Sequence, residues 1–525
     1  MVSYDVLIKS GTVIDGTGAP PGTMDVGVRD RHIADMGVLE GATAEVVIDA
    51  AGKYVTPGFI DVTNHSDTHL SLFKYPGLDG LLMQGVTTAI GGNCGASLAP
   101  LASGDSILAI RKWADPSDIN VNWNSVGEFL AEIAKLRLGV NFGMFAGYGT
   151  LRRGVIGNAA RLLDRNERQE IRFLLEESVR EGALGLSLGL AYGHERVSPT
   201  EEIVEIAGGL AAAGGIIKLH LRAEGSDLIA AVNEAVQISR EAGATVHISH
   251  FKVIGRKSRG LFNKALEILN GAAASGVAVS FDVSPYATTG SPLYALLPSW
   301  ARQGGFSALF ERLANDYERG LIIGDLKKYT LHYGRITVIS AKIPHLVGRT
   351  LKKIAAGMGM EPEEAILEMI KANEGRISIR GRTVSLKNVD AGIAHPRALA
   401  ASDGEGYAQE ERASGNLHHP RSFGAFPHFL HRYVRDIKSL TAEEAIRKIT
   451  GGPAVLLGIK ERGVLAAGMA ADIAVFDPFL FKDRATYNNP FRYPAGIEWV
   501  LVNGSIAVER GRPTGVRSGK VVQRK

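Results

Sequence analysis

Five residues of this 525-residue chain are of types that together hold a metal ion and move a proton: His65, Cys94, His220, His250 and Asp403. Each stands at the far end of a short apolar run. His65 follows Phe59-Ile60-Asp61-Val62-Thr63-Asn64, and Cys94 sits in the turn Gly91-Gly92-Asn93-Cys94-Gly95. His220 ends Ile216-Ile217-Lys218-Leu219-His220, and His250 ends Thr245-Val246-His247-Ile248-Ser249-His250. Zinc takes imidazole and thiolate together, and a catalytic zinc site keeps one position open. Metal binding would hold Cys94 as the thiolate. Asp403, in Ser402-Asp403-Gly404, follows the run from Ala398 to Ala401. Opposite such a metal, its carboxylate is a general base: it takes a proton as water attacks a carbonyl and passes it to the leaving nitrogen.

Each residue alone has a plainer explanation. A single cysteine packs as a small hydrophobe, a strand-end histidine serves as a hydrogen-bonding group, and aspartate before glycine forms turns. Their joint occurrence at the ends of several strands is what argues for a site. Alternation along a strand assigns faces. It places His250 with Val246 and Ile248 and turns His247 toward the helices as a structural residue.

Strand-like runs over 85–90, 141–145, 185–188, 216–220, 245–250, 277–282 and 398–403 follow the opening one at 57–67, which makes eight. Helix-like stretches over 128–135, 165–181, 200–213, 228–242 and 260–274 separate most of them. Strands alternating with helices predict a parallel sheet, and eight such units predict an α/β fold of the (β/α)8, TIM-like barrel type with chemistry at the C-terminal mouth. Residues 4–9, 11–16, 25–28 and 45–48 read as short strands, and 471–476 and 499–504 read the same way near the other end. We therefore expect a discontinuous β-sandwich domain from residues 1–56 plus 455–525, around a catalytic barrel over 57–454. Residues 292–345 break the rhythm and read as an insertion or lid.

Composition bounds the partners. A net charge of +4, dispersed along the chain, does not predict nucleic-acid binding. One cysteine excludes an intrachain disulfide, no basic apolar leader opens the chain, and no run of about 18 apolar residues predicts a membrane span. The expected location is cytoplasmic.

The stretch Pro57-Gly58-Phe59-Ile60-Asp61-Val62-Thr63-Asn64-His65 resembles the first-strand signature of the amidohydrolase superfamily, with Thr63 where the first histidine of a His-x-His pair belongs. Further stretches, among them Gly92-Asn93-Cys94-Gly95, Ser97-Leu98-Ala99-Pro100, His220-Leu221-Arg222, Ile248-Ser249-His250-Phe251-Lys252, Ser402-Asp403-Gly404 and His419-Pro420-Arg421, resemble the D-aminoacylase (N-acyl-D-amino-acid deacylase) family within it. That resemblance implies a tight zinc on Cys94, His220 and His250 and a weaker second metal position that includes His65. It implies Asp403 as the proton shuttle. It also implies Lys252, Tyr286 and Arg421 on the substrate α-carboxylate, with Tyr192 elsewhere in the pocket; a planar guanidinium suits bidentate carboxylate binding. Lys218, on the face of His220, is the alternative metal bridge if carboxylated, a reading ranked below Cys94.

Thr63 removes an imidazole, so one zinc is expected, with the second position weakened. The segment Gly193-His194-Glu195-Arg196 and the turn after Tyr286 depart from the family pattern. The expected function is zinc-dependent hydrolysis of the amide of an N-acyl-amino acid, D-configuration favoured. A cyclic amidase of hydantoin or lactam type and a non-catalytic ligand-binding barrel are the alternatives. The expected partner is the small-molecule substrate, with assembly into a homo-oligomer left open.

Overall fold

The computed structural model describes residues 3–211, 214–329 and 331–524. Residues 1 and 2 of the expected N-terminal β unit, 212 and 213 of the helix expected over 200–213, Thr330 in the expected insertion and Lys525 lie outside them.

Eight strand positions run parallel: β1 (Phe59–Asp61), β2 (Val86–Gly91), β3 (Asn141–Met144, resumed at Ala146–Gly147), β4 (Gly185–Gly189), β5 (Ile216–His220), β6 (Thr245–Ile248), β7 (Val279–Val283) and β8 (Ala398–Ala400). Strands buried on both faces carry near-continuous apolar runs, and every residue of β2 and β4 is buried. The strands pair as two sheets, β1-β2-β3 and a six-stranded sheet from Ala146–Gly147 to β8. Only Phe145 separates the sheets along the chain between them. On the other side, β1 and β8 meet past their ends, where Asp403 N donates to Thr63 O at 3.0 Å and His65 N to Gly404 O at 2.8 Å. Residues that end these strands are therefore brought to one place.

The intervening helices pack their apolar sides on the strands. Val126–Leu136 and Arg165–Arg180 begin at capping boxes, Ser125 with Glu128 and Asp164 with Glu167. Their buried residues, Phe129, Ile133, Ile171 and Leu175 among them, join Phe142, Leu186, Leu188 and Val246 in the main core.

Both ends of the chain build one further nine-stranded sheet. Its seam pairs Tyr54–Pro57 antiparallel with Ile473–Phe476, and Val6, Ile8, Val26, Val55, Ile473, Val475 and Leu501 share its core. The pieces read separately at 4–9 and 11–16 are a single strand, Ser3–Val13, with a bulge at Ser10. Ser10 adopts a φ of 57°, and its N–H donates to Asp25 Oδ1 at 2.8 Å, so a polar bulge looks like a strand break in the sequence.

The rhythm-breaking segment runs beyond the 292–345 read from sequence. Strands Thr289–Pro292, Ile336–Ala341 and Ile377–Gly381 form an antiparallel sheet. Helices Gly305–Ala314, Asp316–Lys328, Leu351–Met358 and Pro362–Ala372 share with it a separate core that includes Leu309, Ile322, Val338, Ile366 and Ile379. The late helices complete that core, which is why the segment does not stop at His345. Among the described residues no helix is long and apolar enough to cross a membrane.

Asp472 joins the terminal sheet to β3. Its carboxylate accepts from Asn141 Nδ2 at 2.9 Å and Asn503 N at 2.7 Å and contacts the Arg462 guanidinium; all four residues are buried. Removing one partner of a buried ion pair strands the other charge. Asp472→Ala is thus expected to lower stability by about 3 kcal/mol, seen as an earlier midpoint in urea denaturation.

Candidate active site

The mouth of the parallel strands brings Cys94, His220 and His250 together. Sγ of Cys94 lies 3.4 Å from His220 Nδ1 and 3.4 Å from His250 Nε2, and the three donor atoms all lie within 4.8 Å of one another. Cys94 and His250 are buried. Burial by itself raises the thiol, but the charges of His250 and then His220 outweigh it and hold Cys94 well below its ordinary value, as a thiolate. One thiolate and two imidazoles converging on one point are a zinc donor set.

Beside this cluster, Asp403 Oδ1 lies 3.3 Å from His65 Nε2, and Oδ2 takes a hydrogen bond from the Arg421 guanidinium. Burial raises the Asp403 carboxyl, but Arg421, then His250 and His65, hold it well below the usual carboxylate range. It is therefore an ionised, proton-accepting group at neutral pH. His65 is pushed up to about 10: burial opposes protonation, and hydrogen bonds to Asp403 and Cys94 override it.

Three of these side chains share an unusual backbone. Cys94, His250 and Asp403 have φ values of 55°, 38° and 56°, in the left-handed region that non-glycine residues rarely occupy. Such strain persists where surrounding bonds over-determine it. Here His250 N donates to Asp282 Oδ1 at 2.7 Å, Gly92 N to Asp67 Oδ2 at 2.6 Å and Gly95 N to Ser187 Oγ at 3.0 Å.

A scan against protein families matches the Amidohydrolase family over residues 46–308 and 356–508. The chain belongs to the amidohydrolase family. It is 32% identical over 522 residues to a D-aminoacylase of Alcaligenes xylosoxydans xylosoxydans, covering 99% of this chain and 98% of that protein. Among solved structures it is similar to a D-aminoacylase with a binuclear metal centre, described as activated by one metal and attenuated by the second (TM-score 0.84, 31% identity, covering 99% and 100% of the two chains). It is equally similar to N-acyl-D-glutamate deacylase from Bordetella bronchiseptica with zinc and a phosphonate mimic of the tetrahedral intermediate (TM-score 0.84, 30% identity, 99% and 100% coverage). The chain is accordingly a metal-dependent amidohydrolase.

In this amidohydrolase, Lys252, Tyr286 and Arg421 line one small recess together with His250 and Asp403. Tyr286 Oη and Arg421 Nε are buried there without a hydrogen-bond partner. Lys252 Nζ lies 2.6 Å from Glu224 Oε1 and 2.9 Å from His250 Nδ1, so both cationic members of the expected clamp rest on a carboxylate of the site. Tyr192 lies apart from the recess. Its ring packs edge-on to His220 at 5.2 Å, with Lys112 Nζ 3.6 Å from its centroid, and it lines the wider cavity.

Two sequence readings are overturned. Lys218 is not a carboxylated bridge: its Nζ donates to Thr63 Oγ1 at 2.6 Å and to the Val62 carbonyl, and lies 3.6 Å from Asp282 Oδ2. A carbamate there would set an anion against a carbonyl oxygen and a carboxylate. His247 does not face the helices. It pairs in register with Lys218, and its Nε2 lies 3.0 Å from Asp282 Oδ2, inside the strands. Val246 and Ile248 pack outward in the main core. Strand alternation ends at Ile248, and the left-handed φ of His250 turns that side chain back inward.

Glu224, Asp282 and Lys112 were not singled out from the sequence. Glu224 Oε1 lies 3.4 Å from His250 Nδ1 and 3.8 Å from His220 Nε2. Its one signal was a carboxylate four residues after His220. Such outer partners orient histidine ligands, and losing them weakens metal binding. Glu224→Ala is expected to weaken zinc binding by roughly 10- to 100-fold, measured by chelator competition.

Proposed function

We propose that the protein hydrolyses the amide bond of N-acyl-amino acids, D-configuration favoured, with one zinc held by Cys94, His220 and His250. The observation that carries this reading is the buried thiolate-imidazole cluster next to an ionised Asp403, with three carboxylate-binding side chains around the adjoining recess. In this reading the eight parallel strands form a (β/α)8 barrel over residues 57–454, and 1–56 with 455–525 form a β-sandwich domain. The pairing order and the contacts between β1 and β8 beyond their ends support it.

Zinc, when bound, supplies Lewis acidity that activates water and polarises a carbonyl. The residues do the rest. Glu224 orients His250 and His220. Asp403 accepts the proton of the attacking water at a carboxylate oxygen and delivers it to the leaving nitrogen. Arg421 and His65 keep that carboxylate ionised between turnovers. Arg421 Nε, Tyr286 Oη and Lys252 Nζ take the substrate α-carboxylate, which fixes the amide beside Asp403. The D-preference rests on the relatives, a D-aminoacylase and an N-acyl-D-glutamate deacylase.

The cavity over the site measures about 2260 Å³, far above the ~300–1,000 Å³ of ordinary small-molecule pockets. Arg256, Lys257, Arg259, Arg335, Arg382 and Lys387 line it, exposed, and none pairs with a carboxylate among the described residues. Such a lining raises the local concentration of anions, and it favours substrates with an acidic side chain over neutral ones.

Zinc-loaded protein is expected to release amine from N-acetyl-D-amino acids and not from the L-forms, with Asp403→Asn losing at least about 100-fold in kcat. Release from neither series would sink the deacylase reading. With N-acetyl-D-glutamate, kcat/KM should exceed that for N-acetyl-D-leucine and fall more steeply as salt is raised. Equal salt slopes would remove the basic lining from the account.

A further inference from the structure

The cavity over the site has two unlike walls, and the proposed hydrolysis uses one of them. The recess of Lys252, Tyr286 and Arg421 adjoins the basic rim, since Ile254 bridges to Val384, which lines both. Across the metal cluster from that recess the wall is aromatic. Ring follows ring away from it: His250 to His220 at 4.4 Å, His220 to Tyr192 at 5.2 Å and Tyr192 to Trp113 at 5.9 Å. Trp113 then meets His69 at 5.9 Å and His65 at 5.5 Å, and His65 returns to Asp403. Tyr192, Trp113 and His69 line the cavity, with Leu70, Phe73 and Ala114 beside them, and do not line the recess.

Contacts within the chain hold these rings. Trp113 stands edge-on to Tyr192 at 83° and closer to parallel with His69 at 29°. Lys112 Nζ lies 4.2 Å from the Trp113 centroid and 3.6 Å from that of Tyr192, and it donates to the Cys94 carbonyl at 3.4 Å. Both rings are thereby tied to the turn that carries the thiolate. The segment that departs from the family pattern has its use here. Glu195 N and Arg196 N donate to the Tyr192 carbonyl at 3.1 and 2.9 Å, and Glu195 Oε2 accepts from Gly189 N at 2.6 Å. That turn fixes the backbone of Tyr192.

We propose that Trp113, Tyr192 and His69 are the subsite for the acyl group, and that it takes a planar aromatic acyl group such as phenylacetyl in preference to acetyl. The inference rests on the deacylase reading for its orientation. With the α-carboxylate in the recess and the amide beside Asp403, the amino-acid side chain turns to the basic rim. The acyl carbon then stands at the cluster of Cys94, His220 and His250, and what it carries is directed past His220 toward Tyr192 and Trp113. Aromatic pairs favour edge-to-face and offset-stacked arrangements, and both add to the gain from buried area. Rings that already meet one another edge-on and nearly parallel offer a further ring both kinds of contact. A flat group also gives up few rotors on settling there, whereas a long alkyl chain loses more. An acetyl group, with its single methyl, leaves most of the three rings uncovered.

The test needs no turnover. Phenylacetate and acetate, the acids that the two acyl groups would release, are titrated by calorimetry into full-length zinc-loaded wild type, Trp113→Ala and Trp113→Phe. Wild type is expected to bind phenylacetate at least about fivefold more tightly than acetate. Trp113→Ala should bring that ratio close to one, and Trp113→Phe should keep most of it. A smaller ratio in wild type overturns the proposal, as does a ratio that survives in Trp113→Ala. A tryptophan that served packing alone would weaken both acids alike and leave their ratio unchanged. If Trp113→Ala does not fold, the wild-type ratio decides. Turnover gives a second reading: kcat/KM for N-phenylacetyl-D-glutamate over N-acetyl-D-glutamate should follow the same order across the three proteins, with the change in KM. Cleavage of neither compound by wild type defeats the deacylase reading, while the binding ratio still judges the subsite.

Discussion

A buried thiolate is the constraint on which the rest of the site depends. Cys94 is 3% exposed, and a negative sulfur in such a place needs positive charge brought to it. His250, pushed up, against the effect of burial, to about 9 by Asp403 and Cys94, brings that charge, and His220 joins it from the end of the neighbouring strand, each 3.4 Å away. To reach between them, the chain leaving β2 must turn sharply and pass close to other backbone. Gly92, at φ +71°, has no room for a Cβ, which would strike the Phe145 carbonyl, and a Cβ on Gly95 at φ +75° would strike the Glu195 carboxylate. These two glycines are the local cost of placing one sulfur.

A second requirement is that the polar interior below the cluster neutralise itself. Asp282 is held well below the ordinary carboxylate range; burial pushes it up, and Lys218, His247 and Thr63 more than reverse that. Asp61 is less well served and is pushed up to about 6 by burial, although Ser402 and Asn64 bond to it. Both carboxylates tie one strand end to another, Asp282 to the His250 turn and Asp61 to Ser402 N at 3.0 Å. The left-handed backbone of His250 and Asp403 is maintained by these bonds rather than by local preference. Positioning and electrostatics are therefore a single problem here: the groups that fix the geometry also set the charge states of the residues that perform the chemistry.

Above the cluster, the architecture changes character. The segment with its own antiparallel sheet and core contributes Arg302, Arg335, Ile339 and Arg376 to the cavity wall, while the strand-end loops contribute Arg222, Glu224 and Arg256. Catalytic side chains sit on the well-buried strand ends, and the groups suited to choosing among substrates sit on the exposed rim. That division lets the rim vary without disturbing the cluster of Cys94, His220 and His250.

The residue types and spacing of the sequence by themselves offered His65, Cys94, His220, His250 and Asp403 as candidates and outlined the run of alternating strands, because strand ends and apolar runs are local patterns; the resemblance to a family implied which of them share a metal and which moves a proton. The Cys94 turn was legible since glycines flanked a lone cysteine, and the seam between the two termini was legible since both were rich in strand-like pieces. Tertiary structure alone decided the face of His247 and the inward turn of His250, because a single left-handed residue breaks the alternation that sequence reasoning extrapolates. It alone placed Lys218 against the Val62 carbonyl, Thr63 and Asp282, from segments that are far apart in the chain. It also decided that Arg421 rests on Asp403 and that Glu224 supports two histidines. Charge pairing depends on distances between segments, and those distances exist only once the chain has folded.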